Sequence, residues 1–466
     1  MSQQQDIDGV TQGGYEAERS YGIDESLVRT CEIALSVGRV DELDGIIDSL
    51  HASDLADLLE ELSVDSRRLL FDHVRDRLDP ELLTHLDDVV REDVLEQLEP
   101  AEVAAVITEL ETDDAVDVFE DVAEADRARV LARLSPSDRA LVEQALTYPE
   151  DSAGRLMQRE LVTVPKDWSV GNSIDYMRER AADLPRDFYE IYVVDDDRCP
   201  VGTIPLSRLM RNQRDVRIDD IMLTELRTAY VEMDQEEAAL MFRQYALLSA
   251  PVVNDAGQLV GVITADDIVH VIVEEAEEDI LRLGGVHEDD FYEAVFDTTR
   301  ARFSWLFVNL GTAIIASLVI GLFDAAIDQV VALAILMPIV ASMGGNAGTQ
   351  TLTVAVRALA MKELTPANAA RIMGKEVIVG GINGLLFAVL MGLVAWLWFG
   401  EPTIGFIIAA AMVFNLLVAG FAGVTVPVVL DRLRIDPAVG SAVILTTITD
   451  VVGFVSFLGL AALVLL

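Results

Sequence analysis

Near residue 300 the sequence changes from a strongly acidic polymer to an apolar one. Long apolar runs follow at about 305–323, 329–347, 377–399, 404–430 and 438–466. Each is close to or above the ~20 residues a helix needs to cross the hydrocarbon core of a bilayer, so five membrane spans are predicted. From Arg300 onward basic and acidic residues balance, and the whole formal charge of −45 therefore sits on the first 299 residues. A chain divided in this way is not a simple soluble enzyme. Its acidity also argues against nucleic acid as a partner, because phosphate recognition needs a basic footprint. With Cys31 and Cys199 the only cysteines, neither a disulfide framework nor a zinc cluster is expected.

The loops give an orientation. Arg300 and Arg302 precede the first span, Arg357, Lys362, Arg371 and Lys375 lie between the second and third, and Arg432 and Arg434 between the fourth and fifth. The other loops carry Asp324, Asp328 and Glu401 and no lysine or arginine. Positive-inside bias predicts a cytoplasmic N-terminal half and an extracellular C-terminus, in a multi-pass protein of the cell membrane. Residues 1–24 are polar, with no apolar signal-peptide core, and read as a disordered tail. Lys166, Lys362 and Lys375 are the only lysines. Few lysines and many carboxylates point to a salt-rich cytoplasm, the habit of a halophile, where repulsion between carboxylates is screened. That gives every acidic cluster a second explanation as solvated surface.

Two features stand out inside the apolar half. Asp450 is the one charged residue of the fifth run, flanked by Thr446, Thr447 and Thr449. A carboxylate at bilayer depth costs roughly 2.5 kcal/mol or more, so such residues face cavities or ion paths; satisfaction by a hydroxyl or amide on a neighbouring helix is the plainer alternative. The second feature is Pro338 followed by Gly344-Gly345-Asn346-Ala347-Gly348-Thr349-Gln350. Close helix packing on Gly344 and Gly348 and an opened helix lining water are equal readings of it, with Asn346 and Gln350 expected on the glycine face. No histidine or cysteine follows Arg300. Oxygen donors suit Mg²⁺, Ca²⁺ or Mn²⁺ rather than copper or zinc. One carboxylate per chain holds a hydrated ion, better if a symmetry mate supplies a second.

Before the membrane, residues 25–147 read as short amphipathic helices, with Leu98, Leu110, Val122 and Leu134 recurring every twelve residues. This fits a small helical solenoid, with an ordinary bundle as the alternative. Residues 148–275 change to strand–turn–strand–helix in two copies, Phe188–Leu206 and Ala250–Ile268. The duplication resembles a tandem CBS pair, modules that sense adenosine nucleotides. Gly261, Thr264 and Asp267 match its ribose- and phosphate-holding segment, so ATP is a candidate ligand. Copy one carries Ser207 and Arg208 at the corresponding place, and a CBS pair without nucleotide is an equal reading. The acidic stretch from Val273 onward has helical composition and leads straight into the first span.

Taken together, the layout resembles the MgtE family of magnesium channels and transporters. The pieces that carry the resemblance are Tyr148–Gly154, Glu275–Val286, Pro338–Gln350, and Asp436-Pro437-Ala438 followed by Asp450. It implies a multi-domain membrane protein: a helical N domain (25–147), an α/β tandem CBS pair (148–275), a connecting or plug helix (276–302) and a five-helix transmembrane domain (303–466), assembled as a homodimer in the lipid bilayer. It further implies a Mg²⁺ importer whose pore uses Asp450, Asn346 and Asp436. Cytosolic Mg²⁺ would close that pore by bridging Asp113 and Asp117 of the N domain, Asp234, Glu236 and Asp267 of the second CBS copy, and Glu275, Glu278 and Asp279 of the plug. Ala246 and His270 stand where family members can carry acids, and Ser441-Ala442-Val443 departs from the usual start of the last span. A broader route for Mn²⁺ or Co²⁺ and a membrane-anchored nucleotide or ionic-strength sensor are the competing readings. No nucleophile–base pair, P-loop or metal-ligand cluster points to an enzyme.

Overall fold

The structure, a computed structural model, describes residues 23–185, 188–286 and 295–465. The tail expected over 1–24 lies outside them up to residue 22, and so do residues 287–294 of the expected connecting helix. The chain divides into two compact units at Val273/Glu274.

The first unit opens with short helices, from Glu25–Ser36 to Pro136–Ala145. Pro100–Glu109, Thr112–Glu120, Glu124–Leu131 and Pro136–Ala145 follow one another through tight corners. The twelve-residue repeat is the period of one helix plus one corner: Leu98, Val122 and Leu134 are buried at those corners. Pro100 and Pro136 occupy first-turn positions, where the missing N–H costs nothing. Glu99 and Glu102 close a reciprocal capping box, and the Ser135 side chain accepts from the Asp138 N–H.

Each CBS copy contributes one three-stranded sheet. In the first, β1 (Thr163–Pro165) is parallel to β2 (Glu190–Val194), which is antiparallel to β3 (Pro200–Pro205). In the second, β4 (Ala229–Tyr230), β5 (Ser249–Val253) and β6 (Leu259–Thr264) repeat that topology. Both antiparallel pairs shift register at the same point, Val193/Val194 and Val252/Val253. The duplication read from the sequence is thus a structural repeat.

The Tyr148–Gly154 segment joins the helices to the second sheet. Ala153 and Gly154 donate backbone hydrogen bonds to Met233 and Val231, and a Cβ at Gly154 would stand 2.7 Å from both the Tyr148 ring and the Val231 carbonyl oxygen. Gly154→Ala should therefore cost about 1–3 kcal/mol by overpacking. Urea unfolding of residues 25–273 measures it, and a loss below about 0.5 kcal/mol, the usual size of a surface substitution, would contradict this packing.

One helix, Ala265–Gly284, leads out of the second CBS copy, starting well before the expected 276 because Thr264 and Asp267 cap its first turn. It ends where Gly285 takes φ +70°, with Gly285 and Val286 donating back to Arg282 and Leu281.

In the second unit five long apolar helices follow: Val295–Gly321, Ala332–Ala360, Ala369–Phe399, Pro402–Arg432 and Ser441–Leu465, spans one to five. Span two runs past the apolar run to Ala360 because the polar stretch after Gly345 stays helical, and Pro338 sits inside a continuous helix. Span three is likewise unbroken: Gly380 and Gly384 let it approach the backbone of span four at Leu416 and Val413. Span four is the most enclosed of the five.

Candidate ion pathway and acidic clusters

Asp450 lies half-buried on span five. Its threonine neighbours do not serve it: Thr446, Thr447 and Thr449 donate to the carbonyls of Ala442, Val443 and Leu445 at 2.9, 2.6 and 3.1 Å. Among the described residues no basic side chain pairs with Asp450, so none of them balances its charge. On span two, Gly344 and Gly348 are buried against Asn415 and Leu445, whereas Asn346 and Gln350 are exposed. The expected shared face does not form, because residues two apart point to opposite sides of a helix. Glycines pack; amides face out. Asn346 Nδ2 donates to Ser342 Oγ at 3.4 Å.

The structure places Asp436 away from Asp450. It precedes span five, and the rise from Ser441 to Asp450 alone is roughly 14 Å. Its Oδ1 accepts from the Ala438 N–H at 2.7 Å and its Oδ2 from Arg282 Nη1 at 2.6 Å. Arg282 also pairs with Glu278. Desolvation first, then the charges of Asp436 and Glu275, raise the Asp279 carboxyl above its ordinary range. Leu283 packs among Leu352, Ala438 and Leu445. Arg282 thus joins Glu278 to Asp436, and Asp279 feels the charges of Asp436 and Glu275, at the end of the connecting helix beside spans two and five.

A second acidic group forms within the first unit. Asp113 has a buried Oδ1 with no hydrogen-bond partner. Desolvation, then the charges of Asp267 and Asp114, push its carboxyl well up. Desolvation and Asp267 push Asp114 up to about 7, and desolvation followed by Glu160 and Asp114 does the same to Glu111. Glu160, from the first CBS copy, accepts from the N–H and hydroxyl of Thr112 at 3.2 and 2.8 Å.

The remaining sequence candidates fall elsewhere. Asp117 is one turn from Asp113 but pairs with the buried Arg91 at 2.7 Å, together with Asp88 at 2.6 Å and Asp121. An internal guanidinium takes the place expected for a bridging ion. Asp234 caps helix Gln235–Tyr245 by accepting from the Glu236 N–H at 2.9 Å. Asp267 accepts from the Thr264 hydroxyl, and Gly261 packs its backbone against Met157 and Gln158. Among the described residues no three His, Cys, Asp or Glu side chains converge into a ready metal cage. Both acidic groups consist of hard oxygen donors, one with an orphaned carboxylate oxygen, which fits a Mg²⁺ ion that keeps part of its water.

Sequence reasoning missed several of these residues. Glu111 and Asp114 adjoin Asp113 and were legible as an acidic run, whereas Arg91, Glu160 and Arg282 carry no local signal. Glu376 reads as a loop residue, yet it is buried inside span three and accepts from Thr351 Oγ1 at 3.3 Å. Asn415 is a lone amide in an apolar run.

Comparison with known proteins agrees with this layout. A family model for the MgtE divalent cation transporter matches residues 337–460, the MgtE intracellular N domain matches 50–151, and the CBS domain matches 153–215 and 218–274. The chain is 30% identical to the magnesium transporter MgtE of Bacillus subtilis over 321 residues, 69% of this chain and 71% of that one. It is 33% identical to the magnesium transporter MgtE of Thermus thermophilus over 328 residues, 70% and 72% of the two chains. The solved cytosolic domain of the Mg²⁺ channel MgtE in complex with ATP aligns at 30% identity and a TM-score of 0.48, over 52% of this chain and 99% of that one. By identity and coverage together, this chain belongs to the MgtE family of divalent cation transporters.

Proposed function

We propose that the chain imports Mg²⁺ across the cell membrane as a homodimeric channel that cytosolic Mg²⁺ closes. The observation that carries the pore is Asp450, a carboxylate in an apolar span with no basic side chain among the described residues to balance it. A second copy of the chain brings two such carboxylates to one axis, enough to hold a hydrated divalent ion. Asn346 lines the same path from the exposed face of span two. The positive-inside rule places the acidic half in the cytoplasm and the C-terminus outside. Growth of a Mg²⁺-auxotrophic bacterium on low Mg²⁺ tests this. Rescue by the wild-type chain and not by Asp450→Asn is expected; no rescue by a chain present in the membrane would contradict it. Rescue that Mn²⁺ abolishes by competition would favour the broader divalent route.

The sensor has two parts, Glu111–Asp113–Asp114–Asp267 in the first unit and Asp436–Glu275–Glu278–Asp279 in the second. Carboxylates crowded without a cation repel one another, and Mg²⁺ binding favours the arrangement that brings them together, by no more than its differential affinity for it. The helix Ala265–Gly284 starts at Asp267's turn and ends at Asp436's partner Arg282, so it carries one event to the other. Asp234 and Glu236 take no part in either group in this reading, and Asp117 is served by Arg91. The Thr264–Asp267 pair leaves ATP as a second ligand that would compete for Asp267.

The pKa shifts give a signed prediction. Glu111 and Asp114 hold their protons up to about 7 in the folded state, against roughly 4 in the unfolded chain. Folded protein binds more protons between those values, so stability falls as pH rises through that window. Mg²⁺ competes with those protons. Its stabilisation of the cytoplasmic half, read as a melting-temperature rise, should be large at pH 8 and nearly absent at pH 5. Equal stabilisation at both would remove this group as the sensor.

A further inference from the structure

Span four contains a buried amide that the pathway above does not use. Asn415 is 0% exposed. Its Nδ2 donates to the Val340 carbonyl of span two at 2.9 Å. Its Oδ1 is equally enclosed and accepts no hydrogen bond from any described residue. Two glycines make room for the group. A Cβ at Gly344 of span two would overlap the amide, and one at Gly453 of span five would stand 2.9 Å from Nδ2. One side chain therefore touches three spans, two residues from Asn346 on one helix and three residues from Asp450 on another.

An apolar residue of similar size would fill this space without leaving an acceptor unmet, so packing alone does not account for an amide here. What the amide adds is direction. Its hydrogen bond fixes one carbonyl of span two against one position of span four, and the glycine notches fix how far spans two and five slide along it. A slip of one residue moves a helix by 1.5 Å. Mg²⁺ demands near-ideal octahedral geometry while Ca²⁺ accepts looser shells, so a slip of that size weakens discrimination before it closes the path.

We propose that Asn415 is a positioning residue: its amide, seated in the Gly344 and Gly453 notches, holds spans two and five in the register at which Asn346 and Asp450 select Mg²⁺ over larger divalent ions. This rests on the pore reading of Asp450. The test is Mg²⁺ and Ca²⁺ flux through the full chain in proteoliposomes, with melting temperature measured in parallel. Asn415→Leu keeps the number and branching of the side-chain heavy atoms, with methyl groups bulkier than the amide, and removes the hydrogen bond. Its Mg²⁺/Ca²⁺ flux ratio should fall about tenfold, equivalent to about 1.4 kcal/mol, while the protein still melts cooperatively. Gly344→Ala should lower the ratio similarly, and adding Asn415→Ala should not restore it, because the crowding is relieved while the hydrogen bond to Val340 is still missing. A purely structural asparagine would change melting temperature and both fluxes together and leave the ratio within twofold, which would overturn the proposal. Should Asn415→Leu not fold, the Gly344→Ala pair decides alone, and a ratio restored by Asn415→Ala counts against the clamp. Asp450→Asn in the same assay separates the two readings. Undiminished Mg²⁺ flux there defeats the pore assignment and the clamp's role with it, whereas an unchanged ratio in the Asn415 and Gly344 variants only defeats the clamp.

Discussion

Asp450→Asn should reduce Mg²⁺ flux by roughly a hundredfold or more while leaving the protein folded. The substitution keeps the shape of the side chain and removes its charge. A hydrated divalent ion about 5 Å from one carboxylate gains roughly 7 kcal/mol at an effective dielectric of ~20, before the cost of displacing bulk water. Half of that already exceeds the ~2.7 kcal/mol that a hundredfold loss represents. No basic side chain of the described residues competes for the carboxylate, and the neighbouring threonine hydroxyls are spent on their own helix. Removing the charge should not destabilise the unit, since it leaves no partner unpaired. Flux within threefold of wild type in Asp450→Asn would mean that ion occupancy is set elsewhere, with buried Glu376 the next residue to test.

Arg91→Leu should markedly destabilise the N domain. Arg91 is 3% exposed and holds Asp88, Asp117 and Asp121 at once. Removing one partner of a buried ion pair costs about 3–5 kcal/mol. Asp88 and Asp117 are more than half exposed and regain water, so the expected loss is reduced to about 2–3 kcal/mol. Most of it comes from Asp121, whose carboxyl desolvation pushes up to about 7 even with Arg91 beside it. Chemical unfolding of residues 25–273 measures the loss. Added Mg²⁺ should recover part of it, because a divalent ion can replace the guanidinium among three carboxylates. A loss below 0.5 kcal/mol would show that these acids are ordinary solvated surface, the salt-adaptation reading of the acidic half.

What the sequence disclosed follows from which interactions are local. Five spans are legible because hydropathy acts residue by residue, and the CBS duplication because strand patterning repeats. The twelve-residue recurrence from Leu98 to Leu134 was visible for the same reason. Span ends were not: Ala332–Ala360 continues through polar residues that hydropathy excludes. Glu376 was lost to the same error, since a span expected from residue 377 leaves it in a loop. Asp113 and Asp117 looked equivalent from their spacing, but a residue from an earlier helix, Arg91, claims one and leaves the other facing Asp267. Asp436 was expected at the pore from the family resemblance, yet Arg282, distant in sequence, pairs with it at the end of the connecting helix. Asn415 had no local pattern at all. Its importance depends on glycines in two other helices.

The measurement that tests the account most directly is Mg²⁺ entry into proteoliposomes loaded with a Mg²⁺-sensitive dye, with Mg²⁺ varied on the face that carries the N-terminal half. The account predicts rapid entry through the wild-type chain at low Mg²⁺ on that face, suppression as it rises, and no entry through Asp450→Asn at any concentration. Folded wild-type protein that passes no Mg²⁺ under any of these conditions would contradict it.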